Sequence, residues 1–128
     1  MESHTKKVLI VEDDQDWRNT LVAKLQSQFE VYQAVDGEEA IAKILDDKPD
    51  VVLLDLLLPK LDGFKVLERL RKYPDAAVAN THVVVLSNLW SDKDILQAKA
   101  LKIDDYFVKA NTKIEDVMVC LLKLVKVK

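Results

Sequence analysis

Five short runs rich in β-branched and aliphatic residues punctuate the chain: Lys7–Val11, Val31–Val35, Val51–Leu54, Val83–Leu86 and Tyr106–Val108. After each of them the apolar residues switch to helical spacing. This alternation constrains the fold more than any other feature. A strand followed by a helix and then another strand cannot close as a hairpin, so it pairs in parallel through a crossover. Repeating the unit builds a parallel sheet with helices on both faces. The runs VVLL and VVVL have no polar alternation, which fits strands buried on both sides.

The helical segments carry their own signals. Trp17, Leu21 and Leu25, with Val22 and Phe29, form one stripe; Ile41, Ile44 and Leu45 form a second; Phe64, Leu67 and Leu70, with Val66, form a third. Ile95, Leu96 and Leu101 give a weaker fourth. Ile114, Val117, Met118, Leu121, Leu122 and Val125 fall at i, i+3, i+4, i+7, i+8 and i+11, the strongest helical pattern in the chain. Asp36-Gly-Glu-Glu39 and Thr112-Lys-Ile-Glu115 have the form of capping boxes, in which an oxygen and a Glu three residues on serve exposed helix N–H groups. Asp62 and Ser91 are further cap candidates, and Pro49 and Pro74 sit where helices should have ended. The pattern predicts an α/β protein, a (βα)5 doubly wound five-stranded parallel sheet.

Composition agrees with one compact unit. The chain has 128 residues, of which 45 are Leu, Ile, Val or Phe, enough for one real core. Nineteen basic against 22 acidic residues give a net charge of −3. A pI of 5.4 excludes a generic basic nucleic-acid footprint. A single cysteine, Cys120, excludes an intramolecular disulfide and a cysteine metal site. No signal peptide is visible, and the longest nearly apolar stretch, Val51 to Leu58, is interrupted by Asp55 and far short of a spanning helix. A single-domain, cytoplasmic protein without membrane contact is expected.

In open parallel α/β sheets, ligands bind beyond the carboxyl ends of the strands. The residues there are Glu12, Asp13 and Asp14 after the first strand, Asp55 after the third, Ser87 after the fourth and Lys109 after the fifth. Each taken singly has a plainer role. Asp14 is a helix cap, Ser87 a loop hydroxyl and Lys109 a solvated lysine. Asp55 resists such a reading, because VVLLDLLLP flanks it with apolar residues on both sides, and a buried carboxylate is costly unless paired. If the first and third strands are neighbours, Glu12, Asp13 and Asp55 converge and repel. They then require a cation or raised pKa values. A hard divalent ion with oxygen ligands fits, and Mg²⁺ characteristically recruits phosphate oxygens as well. A hydroxyl and an amine complete what phosphoryl transfer needs, which is little beyond positioning and charge neutralisation.

In VLIVEDD, LLDLLLPKLDG, VVVLS and DDYFVK, in that order and in register with five strands, the chain resembles a response-regulator receiver domain, the phosphoacceptor half of two-component signalling. The resemblance covers essentially all of residues 1–128, as a single receiver domain with no output domain visible. It implies the flavodoxin-like strand order 2-1-3-4-5. It implies Asp55 as phosphoacceptor, Asp13 as a direct Mg²⁺ ligand, Glu12 as a direct or water-mediated one, and the backbone carbonyl of Leu57 as another. Ser87 would hold the phosphoryl group, Lys109 would pair with it, and Tyr106 would be the aromatic that turns inward with Ser87. Pro59 and Gly63 would shape the loop into the third helix. Such a domain catalyses its own phosphorylation and slow dephosphorylation without turning over an external substrate. Two positions depart from the family pattern: Ala110 stands where a proline, often after a cis bond, usually follows the lysine, and Asn88 replaces the usual small residue after the hydroxyl.

The implied partners are a sensor histidine kinase or histidine phosphotransfer protein and a downstream protein, with a possible homodimer through helix 4, strand 5 and helix 5, and no direct nucleic-acid contact. Trp90, in the loop leading to the fourth helix, is either a core cap or part of that face. Val119, off the core stripe of the fifth helix, and Val127, which extends its apolar tail, make an apolar spot rimmed by Lys99, Lys113 and Lys123. Other chemistries on the same architecture fit less well. A flavodoxin's phosphate loop is not acidic like EDDQDW, and two glycines cannot build a P-loop. Asp14-Gln-Asp16 sits too late for a dehalogenase-type DxD motif. The alternative of a different class is a pseudo-receiver, a scaffold that works without phosphorylation. The full set of Glu12, Asp13, Asp55, Ser87 and Lys109 argues against it.

Overall fold

The structure is a computed structural model that describes residues 5–125. Five strands, β1 (Lys6–Val11), β2 (Phe29–Ala34), β3 (Val51–Leu54), β4 (His82–Ser87) and β5 (Asp105–Val108), alternate with helices α1 (Gln15–Leu25), α2 (Gly37–Asp47), α3 (Gly63–Arg71), α4 (Ala76–Ala79), α5 (Asp92–Ala100) and α6 (Ile114–Val125). All pairings are parallel, in the order β2-β1-β3-β4-β5. This is the doubly wound flavodoxin-like sheet expected.

The central strands read as unbroken apolar runs because their alternate residues serve opposite faces. Leu9, Val11, Val52, Leu54, Val83 and Val85 pack with α2, α3, α4 and α5. Val8, Ile10, Val51, Leu53, Val84 and Leu86 pack with α1 and α6. A period of two with both faces covered leaves no polar position, unlike a strand with one wet face.

Most start and stop signals act as read. Asp14, Asp36, Asp62 and Ser91 cap α1, α2, α3 and α5 through side-chain oxygens that accept backbone N–H groups. Glu39 reaches back to the Val35 amide at 2.7 Å, one residue before the position a strict capping box predicts. The Thr112 box does not form. Its hydroxyl donates to the Val108 carbonyl at 2.6 Å, and Glu115 pairs with Lys24 at 2.8 Å instead. Phe29, read as the end of the first helical stripe, is the first residue of β2 and is buried there. Leu96 faces solvent, and Ala98 anchors α5. The one-turn helix α4 lacked a periodic signal because four residues are too few to show one. The fourth and fifth expected helices therefore correspond to α5 and α6.

Two glycines set how closely the loops meet beneath the strand ends. A Cβ on Gly37 would lie 1.8 Å from the Leu61 carbonyl oxygen, and one on Gly63 would lie 2.6 Å from the Asp55 carbonyl oxygen. Both would collide with backbone that cannot swing aside. Their absence lets α2 and α3 begin against the β3–α3 loop, and the Gly63 amide reaches the Leu56 carbonyl at 3.0 Å.

Candidate functional site

The strand order places β1 beside β3, so the residues following them become neighbours. The ladder continues past both strands: Glu12 donates its amide to Ala34, and Asp55 donates its amide to Val11, each at 3.0 Å. Backbone hydrogen bonds thus fix both residues at the carboxyl edge. Glu12 and Asp55 are buried, at 2% and 4% exposure. Asp13 is exposed. Oxygens of these three carboxylates lie within 4.8 Å of one another, which is the convergence expected from the sequence.

Lys109 also arrives from the adjacent edge. It begins a single 3₁₀ turn, Lys109–Asn111, directly after β5. It is not the solvated lysine of the plain reading, for it is buried at 8% exposure. Its ammonium lies 2.6 Å from Glu12 Oε1 and 2.9 Å from Asp55 Oδ2. Among the described residues no peptide bond is cis, so Ala110 follows through a trans bond.

Burial dominates the electrostatics. It pushes the Glu12 carboxyl upward, and the nearby Asp55 charge adds to that; the hydrogen bond from Lys109 pulls back without cancelling it. Burial alone would lower the Lys109 ammonium, but its hydrogen bonds to Glu12 and Asp55 outweigh burial and hold it above its ordinary range. The ammonium therefore stays charged at neutral pH. Asp55 Oδ2 faces Lys109, while Oδ1 accepts the Leu57 amide at 3.0 Å.

Ser87 is the last residue of β4 and fully buried. Its hydroxyl accepts the Leu89 amide at 3.4 Å. Tyr106, on β5, is half-buried and donates its hydroxyl to the Leu89 carbonyl at 2.7 Å. Burial pushes the phenol up to about 12, so it keeps its proton. Leu89 is thus held from two sides, by Ser87 and by Tyr106. Leu57 stands exposed beside Asp55.

Two neighbours were not legible as site residues. Arg18, one turn into α1, donates one guanidinium nitrogen to the Glu12 carbonyl at 2.9 Å and the Asp13 carbonyl at 3.3 Å. It fixes the backbone that carries both acids. A lone basic residue shortly after EDDQD was the available signal. Trp17, read as core, also lies over Lys109, with the ammonium 5.1 Å from the ring centre.

Trp90, in the β4–α5 loop, and Val119, on α6, are exposed, at 73% and 49%. Val127 lies outside the described residues. The hollow beside Val119 is bordered by Asp104, Asp105 and Asp116 with Lys123. Its rim is therefore largely acidic, not the lysine rim expected, because Asp104 immediately precedes β5 and Asp105 opens it.

No helix among the described residues is long and apolar enough to cross a membrane.

Known proteins share this arrangement. A solved structure of the receiver domain of Francisella response regulator 1452 superposes with a TM-score of 0.86 at 30% identity, covering 95% of this chain and 98% of that one. The DNA-binding dual master transcriptional regulator RpaA of Synechocystis is 36% identical over 104 residues, 80% of this chain and 42% of that protein. A protein-glutamate methylesterase/protein-glutamine glutaminase of Myxococcus xanthus is 38% identical over 105 residues, 80% of this chain and 29% of that protein. The chain thus spans less than half the length of these curated relatives. The family pattern described as the response regulator receiver domain covers residues 8–119, and the chain belongs to that family of two-component signalling domains.

Proposed function

We propose that this chain accepts a phosphoryl group on Asp55 in a Mg²⁺-dependent reaction and passes the change to a partner through its surface. The observation that carries the reading is the buried Glu12–Asp55–Lys109 cluster, with Asp13 exposed at its mouth. Three hard carboxylate oxygens in reach of one another suit a small divalent ion that keeps some of its waters for substrate oxygens. Glu12 and Asp13 would hold it with Asp55, together with the Leu57 carbonyl and water. When bound, it would supply positive charge between the carboxylates and the incoming phosphoryl oxygens.

The chain's own groups do the rest. An oxygen of Asp55 bonds to phosphorus as the donor's P–N bond breaks, and the donor histidine keeps the electron pair and takes a proton. Lys109 shifts from a carboxylate oxygen that no longer carries full charge to a phosphoryl oxygen. Ser87 donates its hydroxyl to another. Because Leu89 is tied to both Ser87 and Tyr106, a movement of Ser87 would reach Tyr106 and the α5 face. A donor histidine kinase or phosphotransfer protein, and a downstream protein or second copy of the chain reading α5, β5 and α6, complete the proposal. The relative RpaA is named DNA-binding; with a net charge of −3, we assign this unit protein contacts rather than nucleic-acid contacts. The same reading treats residues 1–128 as one receiver domain and places its work in the cytoplasm.

Incubation with acetyl phosphate and Mg²⁺ is expected to add one phosphoryl mass per chain, and EDTA to prevent it. Labelling that persists undiminished in EDTA overturns the metal requirement; no labelling at all favours the scaffold.

The lifetime of the product follows from its neighbours. Leu57 and Leu89, two positions beyond Asp55 and Ser87, would by the family resemblance flank the path of an attacking water, and neither side chain orients one by hydrogen bonding. Slow hydrolysis is expected, and Leu57→Asn and Leu89→Glu should each hasten it severalfold. Decay followed by intact mass checks this, and equal rates in the three proteins contradict it.

A further inference from the structure

Lys109 and a divalent ion compete for the same oxygens. Its ammonium sits on Glu12 Oε1 and Asp55 Oδ2, and both carboxylates belong to the cluster of three that converges at the strand ends. An ion that takes Glu12 removes the shorter of the lysine's two ion pairs. Phosphorylation of Asp55 then alters the other. A long flexible amine that has lost its anchors must be ordered afresh before it can meet a phosphoryl oxygen.

One partner does not enter that competition. The Trp17 ring lies 5.1 Å from the ammonium, within the range of a cation–π contact, which strengthens when the cation is desolvated. Lys109 is buried, so the contact is of the desolvated kind. Trp17 is itself held in place. Its amide donates to Asp14 Oδ1 at 3.1 Å, and its side chain packs against the α1–α6 core. An indole ligates no Mg²⁺, so this wall remains when the carboxylates are taken.

We infer that Trp17 is a positioning residue for phosphoryl binding, keeping the Lys109 ammonium aimed into the site once a divalent ion has claimed its carboxylate partners. The inference rests on the reading of Asp55 as phosphoacceptor. It predicts an effect on phosphoryl affinity and none on the ion alone. Holding one rotamer-rich side chain corresponds to about a three- to tenfold change in affinity. An aromatic replacement should preserve the effect, whereas an aliphatic one should lose it.

The test uses the full chain, Trp17→Phe and Trp17→Leu. Amide NMR titration with Mg²⁺ alone should give the same Kd for all three. Beryllofluoride titrated at saturating Mg²⁺ should bind Trp17→Leu about three- to tenfold more weakly than wild type, with Trp17→Phe close to wild type. The Lys109 ε-methylene protons should be shifted upfield by the ring in wild type and Trp17→Phe, and relax to ordinary values in Trp17→Leu. Equal beryllofluoride affinities in wild type and Trp17→Leu overturn the positioning role while leaving the reading of the site intact. A parallel loss of Mg²⁺ affinity in Trp17→Leu overturns it too, as a general structural defect. A wild type that binds Mg²⁺ but ignores beryllofluoride, and takes no phosphoryl group from acetyl phosphate, overturns the reading of the site and the role of Trp17 with it.

Discussion

Asp55→Asn is expected to take no phosphoryl group from acetyl phosphate while remaining folded. The amide has neither the charge nor the nucleophilic oxygen pair of the carboxylate. Its orientation is also constrained. The native Oδ2 faces the Lys109 ammonium and Oδ1 faces the Leu57 amide, so both neighbours are donors. The single amide oxygen can serve one of them, and the charged one makes the stronger bond. The NH₂ group then points at the Leu57 N–H and that hydrogen bond is lost, at a net cost of about 1 kcal/mol. Removing one of two buried negative charges that share one ammonium works the other way. A modest change in stability with complete loss of labelling is therefore the expected pair of results, read by urea unfolding and intact mass. A phosphoryl group that still appears on Asp55→Asn places the acceptor elsewhere and sinks the assignment.

That prediction rests on a residue whose importance the sequence disclosed for a physical reason. A carboxylate inside VVLLDLLLP has no solvent to turn to, so it had to be paired. The sheet was legible for a related reason. Strands covered on both faces leave unbroken apolar runs, and the helices between them keep a period that runs do not share. What the sequence did not reveal lies in contacts that no local pattern encodes. Trp17 satisfies the α1 stripe and also covers Lys109, because the start of α1 lies over the edge where β5 ends. Arg18 spans six residues back to a carbonyl, a reach set by loop shape rather than by helical spacing. Lys109 looked like a surface lysine because its partners, Glu12 and Asp55, are 97 and 54 positions away in the chain. The Thr112 box failed because the 3₁₀ turn at Lys109–Asn111 brings the Val108 carbonyl to the hydroxyl first.

Removing the charge of Lys109 is expected to have the largest effect on stability. Lys109→Met keeps the stem and deletes the ammonium, leaving Glu12 and Asp55 side chains exposed by only 2% and 4% without a counter-charge. Breaking one partner out of a buried ionic cluster costs about 3–5 kcal/mol. The cost should depend on pH in metal-free buffer. Burial already raises the folded Glu12 carboxyl above its ordinary value, and Lys109 opposes that rise. Without the lysine it climbs further. A carboxyl whose folded pKa exceeds its unfolded value, about 4.3, contributes most below that value and loses its contribution as pH rises through the folded pKa. The deficit of Lys109→Met relative to wild type should therefore be smallest in acid and grow toward neutrality. In wild type the ammonium, raised above its ordinary range, contributes in full throughout that window. Mg²⁺ should narrow the deficit, because a ligand that binds only the folded chain stabilises it, and it should bind the variant more tightly than wild type, since the ammonium no longer competes for the two oxygens. The neutral triple variant Glu12→Gln, Asp55→Asn, Lys109→Met should regain most of the loss, because replacing a buried ionic cluster costs far less than breaking it. Urea unfolding of the three proteins, with and without Mg²⁺, decides the matter. A deficit that is constant with pH, or a triple variant as unstable as the single one, shows that altered packing around position 109 and not the unpaired charge carries the effect.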